Sequence, residues 1–171
     1  MGGSSSTTKS IPTIDIDAPP LDDLDFVQGE SKIEDLSKQS SGFLVLIFWG
    51  TWCKRSREAF PDLETLYRRL RKDPIEFLAL SAEAKSTVTS YTEHGVHGFS
   101  FPCAINSSGS IAKALGVSTS PSAAVVLGGK VKWIGSIHDP EKLEKSLRTI
   151  TFEQKHALRK EKNDGASKKI S

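Results

Sequence analysis

Phe48-Trp49-Gly50-Thr51-Trp52-Cys53-Lys54-Arg55-Ser56 is the stretch on which the fold turns. Ahead of it stands an unbroken apolar run at residues 43–47, Phe-Leu-Val-Leu-Ile, short and rich in branched and aromatic side chains. That is the pattern of a strand buried on both faces. Beyond Cys53 the apolar residues Ala59, Phe60, Leu63, Leu66, Tyr67 and Leu70 recur at helical spacing. A cysteine therefore sits where a central strand passes into a helix. Unpaired N–H groups and the positive end of the dipole at a helix start favour a thiolate over a thiol. Lys54 and Arg55 place two cations beside it. Both effects lower the pKa of Cys53 and make it a candidate nucleophile; the alternative is a buried structural cysteine.

The chain of 171 residues suffices for one domain with a core and tails, and is short for two. A net charge of +2 is too small to imply nucleic acid, and two cysteines exclude a disulfide scaffold. No apolar run approaches the length of a membrane span, and the N-terminus lacks the apolar core of a secretory signal. A reducing, intracellular and cytoplasmic setting is the resulting expectation.

Residues 1–13 have little to bury and read as a disordered tail. They fit the Met-Gly-x-x-x-Ser/Thr pattern for myristoylation on Gly2, with Ser6 in place; one acyl chain would give only marginal, reversible membrane association. A plain Gly/Ser-rich tail is the alternative. The long helix is expected to end near Arg71, before Asp73-Pro74. A strand at residues 75–80, a helix at 86–94, a short strand at 99–105 with Cys103, and a helix at 110–117 follow. Strands at residues 123–127 and 130–134 flank Gly128-Gly129, a strong hairpin signal. A last helix starts at Asp139-Pro140 and runs to about Ile150. Residues 151–171 hold six Lys or Arg against three Asp or Glu, a net of +3, and read as a basic, largely disordered tail whose first part prolongs the helix. His94 and His97 lie three apart without a flanking cysteine or carboxylate at ligand spacing, so no metal is expected, and no cofactor motif is present.

Phe48-Trp49-x-x-Trp52-Cys53-x-x-Ser56 followed by Pro61 resembles the active-site segment of thioredoxin-like proteins, especially the TlpA/ResA-like branch of AhpC/TSA-redoxin type. There Trp-Cys-x-x-Cys opens the long helix. The resemblance implies an α/β thioredoxin-like fold over residues 14–150: a central mixed sheet flanked by helices, with an N-terminal hairpin before a short helix at 32–39 and a helix-strand insertion containing Cys103. It also implies a cis peptide at Ser120-Pro121, opposite Cys53, where the backbone edge pairs with an extended substrate segment. Trp49 and Trp52 then belong to scaffold and active-site rim.

Two departures bear on chemistry. The second cysteine of the family motif is Ser56, whose hydroxyl can hold a thiolate by hydrogen bonding but cannot attack a mixed disulfide. Thioredoxin proper has a buried aspartate six residues before the cysteine, where this chain has Ile47. Three readings stay open. The first is a monothiol exchange protein whose Cys53 forms mixed disulfides with protein thiols or glutathione. The second is a redox-inactive binding module. The third is a one-cysteine peroxidase, disfavoured by Gly50 where peroxiredoxins carry threonine. Cys103 would act as a resolving cysteine only if it approached Cys53; otherwise it is a buried, inert thiol. The residues leave open whether the chain turns over as an oxidoreductase.

Overall fold

Every residue of the strand Phe43–Phe48 is buried, and the rest of the molecule is arranged on its two faces. The computed structural model describes residues 14–29, 42–71, 74–95 and 98–167. In chain order the elements are β1 (Ile16–Asp17), β2 (Asp25–Gln28), β3 (Phe43–Phe48), α1 (Lys54–Leu70), β4 (Ile75–Ser81), α2 (Lys85–His94), β5 (Cys103–Ile105), α3 (Ser110–Ala114), β6 (Ser122–Leu127), β7 (Lys130–Ser136) and α4 (Pro140–Ser167).

The strands form one mixed sheet in the order β1-β7-β6-β3-β4-β5-β2. β3 runs parallel to β4 and antiparallel to β6, with Ile47 opposite Ala79 on one side and Ala123 on the other. Side chains alternate along a strand. Phe43, Val45 and Ile47 accordingly face a layer built by Ala59, Phe60, Leu63 and Leu66 of α1, Val88 of α2, and Leu143, Leu147 and Ile150 of α4. Leu44, Leu46 and Phe48 face the other way. Both layers exclude water, which explains why β3 reads as a continuous apolar run. The Gly128-Gly129 turn between β6 and β7 has φ of 58° and 74°, a left-handed backbone that glycine adopts without steric cost.

The sequence expectations fail at both ends of the domain. β1 and β2 do not form a hairpin: β1 pairs with β7 and β2 with β5, at opposite edges of the sheet. The reason lies in the second face, where Ile111 of the short α3 and the following Leu115 leave much of the sheet uncovered. Ala18, Leu21, Leu24 and Phe26 pack there instead, so the chain crosses that face between the two edges.

At the other end, α4 continues through Ser167: the helix is prolonged past Ile150 as expected, but it also runs through the residues from Asn163 onward that were expected to be disordered. Its last buried residue is Ile150, and residues 155–166 are all exposed. That stretch is rich in Lys, Glu, Arg, Ala and Leu, whose helix propensity carries the turn onward without core contacts. The strand expected at 99–105 is confined to Cys103–Ile105. Upstream, the Phe99 and Phe101 carbonyls accept from Gln28 Nε2 at 2.6 and 3.0 Å. The tail with Gly2, the helix expected at 32–39, and His97 lie outside the described residues.

Candidate active site

Cys53 is the N-cap of α1, in an extended conformation at φ −91° and ψ 108°. The turn that delivers it is closed by the Cys53 N–H donating to the Gly50 carbonyl at 3.1 Å, and Trp49 N–H donates to Leu80 O of β4. The side chain of Cys53 makes no cap bond, so the first-turn N–H groups face the sulfur without a committed acceptor. In the thiol form, Sγ lies 3.6 Å from the Ser120 carbonyl oxygen and donates to it. The Ser120-Pro121 peptide is cis. The two segments singled out from sequence, 67 residues apart, thus meet at one point.

Only 9% of Cys53 is exposed. That burial opposes ionisation. It is outweighed by the Ser56 hydroxyl, by the Ser56 and Arg55 N–H groups, and by the Arg55 charge, so the Cys53 thiol titrates below its ordinary range. Ser56 is 1% exposed, and its Oγ has no hydrogen-bond partner among the described residues. Ionisation of Cys53 supplies one: a thiolate accepts from the hydroxyl that a thiol, donating to Ser120, leaves unpaired. Lys54 contributes less than its position in sequence suggested, because it is 80% exposed and reaches Glu58 at 3.7 Å.

The tryptophans divide between inside and outside. Trp49 is 4% exposed and packs edge-on against Phe60 and Phe99, with ring centroids 4.9 and 5.6 Å away. Trp52 is 72% exposed, immediately before Cys53.

Cys103 does not join the site. Both cysteines are free thiols. Cys103 stands opposite Ala79, and Ala79 opposite Ile47, two strand spacings or about 10 Å across the sheet. Cys53 lies six residues further along the chain from Ile47, beyond the end of β3, whereas a disulfide needs Cα atoms within about 7 Å. Burial pushes the Cys103 thiol up to about 12, with only a weak opposing contact from the Trp49 N–H. It is a core residue. Among the described residues, no group of three His, Cys, Asp or Glu side chains is placed to hold a metal ion.

One residue that braces the site escaped the sequence reading. Glu83, just past β4, accepts from Thr51 N–H at 2.8 Å, from Thr51 Oγ1 at 2.6 Å and from Ser81 Oγ at 3.0 Å. Its carboxylate holds the loop that presents Trp52 and Cys53. The signal was available in the topology: β3 and β4 are adjacent parallel strands, and their carboxyl ends are where such sheets build sites.

A model of the AhpC/TSA family matches residues 14–135. The thiol-disulfide oxidoreductase ResA of Bacillus thuringiensis is 32% identical over 125 residues, which cover 71% of this chain and 71% of that protein. ResA of Geobacillus kaustophilus is 31% identical over 132 residues, 74% of each chain. Among solved structures, the exposed lipoprotein thioredoxin Etrx1 of Streptococcus pneumoniae superposes with a TM-score of 0.57 at 18% identity, covering 72% of this chain and 89% of that one. The bacterioferritin comigratory protein of Xanthomonas campestris, whose structure addresses alkyl peroxide reduction, gives 0.60 at 14%, covering 75% and 90%. These two likenesses carry the fold alone. The chain belongs to the AhpC/TSA family, as a TlpA/ResA-like domain of thioredoxin fold.

Proposed function

We propose that this AhpC/TSA-family chain is a thiol-disulfide exchange protein that works with one sulfur, Cys53, and forms mixed disulfides. The observation that carries the reading is the Cys53 sulfur at the start of α1, within 3.6 Å of Ser120 O and beside the buried, unpartnered Ser56 hydroxyl. The Cys53 thiolate attacks a disulfide R–S–S–R′. A Cys53–S–S–R bond forms, the S–S bond of the substrate breaks, and R′–S⁻ leaves and takes a proton from solvent. Ser56 cannot resolve the adduct, so a second thiol, from glutathione or a protein, attacks the R sulfur and releases the Cys53 thiolate.

Glutathione as the resolving thiol requires a reducing compartment, and an intracellular, cytoplasmic location belongs to this proposal. An acyl group on Gly2 would add a weak membrane contact, testable from the intact mass of the protein purified from its own cells.

A binding module without redox work is the second reading. Ile47, fully buried where thioredoxin proper has its aspartate, favours it. The experiment that separates the two is incubation with oxidised glutathione, followed by peptide mass spectrometry under non-reducing conditions. A glutathione adduct on the Cys53 peptide, released by dithiothreitol, supports exchange. An unmodified Cys53 after prolonged incubation at pH 8 leaves the binding module.

A further inference from the structure

The Trp52 indole is folded back over Gly50. A Cβ built on Gly50 would stand 2.9 Å from Trp52 Cδ1 and 2.9 Å from Cε2, and closer still to Nε1, which is nearer than real side chains approach. Gly50 does not adopt the left-handed backbone of the turn glycines, so its lack of a side chain answers to space and not to φ. The ring it accommodates is 72% exposed, one of only four large apolar side chains left in solvent among the described residues. The loop beneath is fixed by the Glu83–Thr51 bonds and the Cys53–Gly50 turn. An exposed aromatic face on a held loop, one residue from the reacting sulfur, is an apolar contact surface whose direction is set by Gly50.

We propose that Gly50 is a specificity-determining residue. By letting the Trp52 ring lie down, it shapes the rim of Cys53 for protein segments whose cysteine has an aromatic or aliphatic neighbour, in preference to polar thiols such as glutathione. This deepens the exchange reading and depends on it. The ring supplies affinity for the apolar neighbour, while Cys53 performs the same substitution at sulfur on every substrate. A methyl group at position 50 overlaps the ring and displaces it from this seat.

The test uses the full chain and two short peptides whose cysteine is activated as a mixed disulfide with 5-thio-2-nitrobenzoate. One peptide has leucine or tryptophan beside the cysteine and the other glycine. Cys53 attacks the peptide sulfur, the peptide–thionitrobenzoate bond breaks, and the coloured thionitrobenzoate anion is released and counted. Each rate is divided by the same protein's rate with iodoacetamide, so a change in Cys53 nucleophilicity cancels.

The parent chain is expected to favour the apolar peptide by about five- to tenfold, the scale of one aromatic contact. Gly50→Ala and Trp52→Ala should both bring the ratio close to one. Should Gly50→Ala fail to fold, Trp52→Ala, which alters an exposed ring, still decides whether the surface selects. Equal rates for the two peptides in the parent overturn the inference and leave the exchange reading standing. A ratio lost in Trp52→Ala but kept in Gly50→Ala overturns the role of Gly50. If iodoacetamide reacts and neither peptide does, the exchange reading fails and this inference with it.

Discussion

Thr51 gives both its backbone N–H and its hydroxyl to the carboxylate of Glu83, at 2.8 and 2.6 Å, across 32 residues of sequence. The same arrangement recurs at α1, where Ser100 N and Oγ donate to Glu64 at 2.8 and 2.6 Å. In each case one carboxylate satisfies two donors of a loop that no strand could satisfy. The Glu83 pair differs in its position: it holds the residue two before Cys53. Replacing Glu83 by alanine strips the Thr51 and Ser81 donors of their acceptor, at a cost of about 1–3 kcal/mol. Glu83→Gln, which retains one carbonyl acceptor, should lose less. Urea denaturation of both variants checks this, and an alanine variant as stable as the parent would show that the bonds do not hold the loop.

In the proposed chemistry Ser56 has two parts: its hydroxyl favours the Cys53 thiolate, and it offers no second sulfur to resolve an adduct. Ser56→Ala removes one of the groups that favour ionisation and should raise the apparent pKa of Cys53. Ser56→Cys should allow an intramolecular disulfide across the first turn of α1 and convert single-adduct chemistry into repeated turnover with a small disulfide and dithiothreitol. Thiol counts and steady-state rates for the two variants read this out; Ser56→Cys that forms no disulfide would speak against the assigned geometry.

Cys103 makes the fold alkali-sensitive. Its folded pKa, pushed up to about 12, lies above the unfolded value of about 8.5. Its contribution to stability is therefore fully present below about pH 8.5 and is lost as pH rises towards 12. The difference is on the order of 5 kcal/mol. Cys103→Ala should flatten the decline of the urea midpoint between pH 8.5 and 11 relative to the parent. Parallel curves would show that the thiol is not as deeply buried as its 0% exposure indicates.

The far end of α4 carries no core. Truncation after Lys155 removes, among the described residues, only exposed side chains, and should change stability by no more than about 0.5 kcal/mol. A loss of several kcal/mol would mean that this helix packs on something in solution.

What the sequence disclosed and what it hid follow from how far apart the interacting residues lie. The run at 43–47 and the helical spacing after Cys53 are local patterns, and they located β3, α1 and the cysteine between them. The Ser120-Pro121 partner across 67 residues came only from likeness to a family. The crossing of Ala18, Leu21 and Leu24 over the second face was hidden because a hairpin and a crossing have the same local pattern; the choice is made by the bare sheet that α3 leaves. Glu83 was hidden for a similar reason. Its neighbours in sequence are unremarkable, and its role exists only once β4 lies beside β3.

The central claim is that the start of α1 makes Cys53 a low-pKa thiol. The most direct measurement is the rate of Cys53 alkylation by iodoacetamide between pH 5 and 10, with the modified site read by peptide mass spectrometry. The structure predicts a single titration on Cys53 alone, with an apparent pKa below that of a free thiol, Cys103 reacting only in denaturant. A slow reaction titrating at or above that value would contradict it.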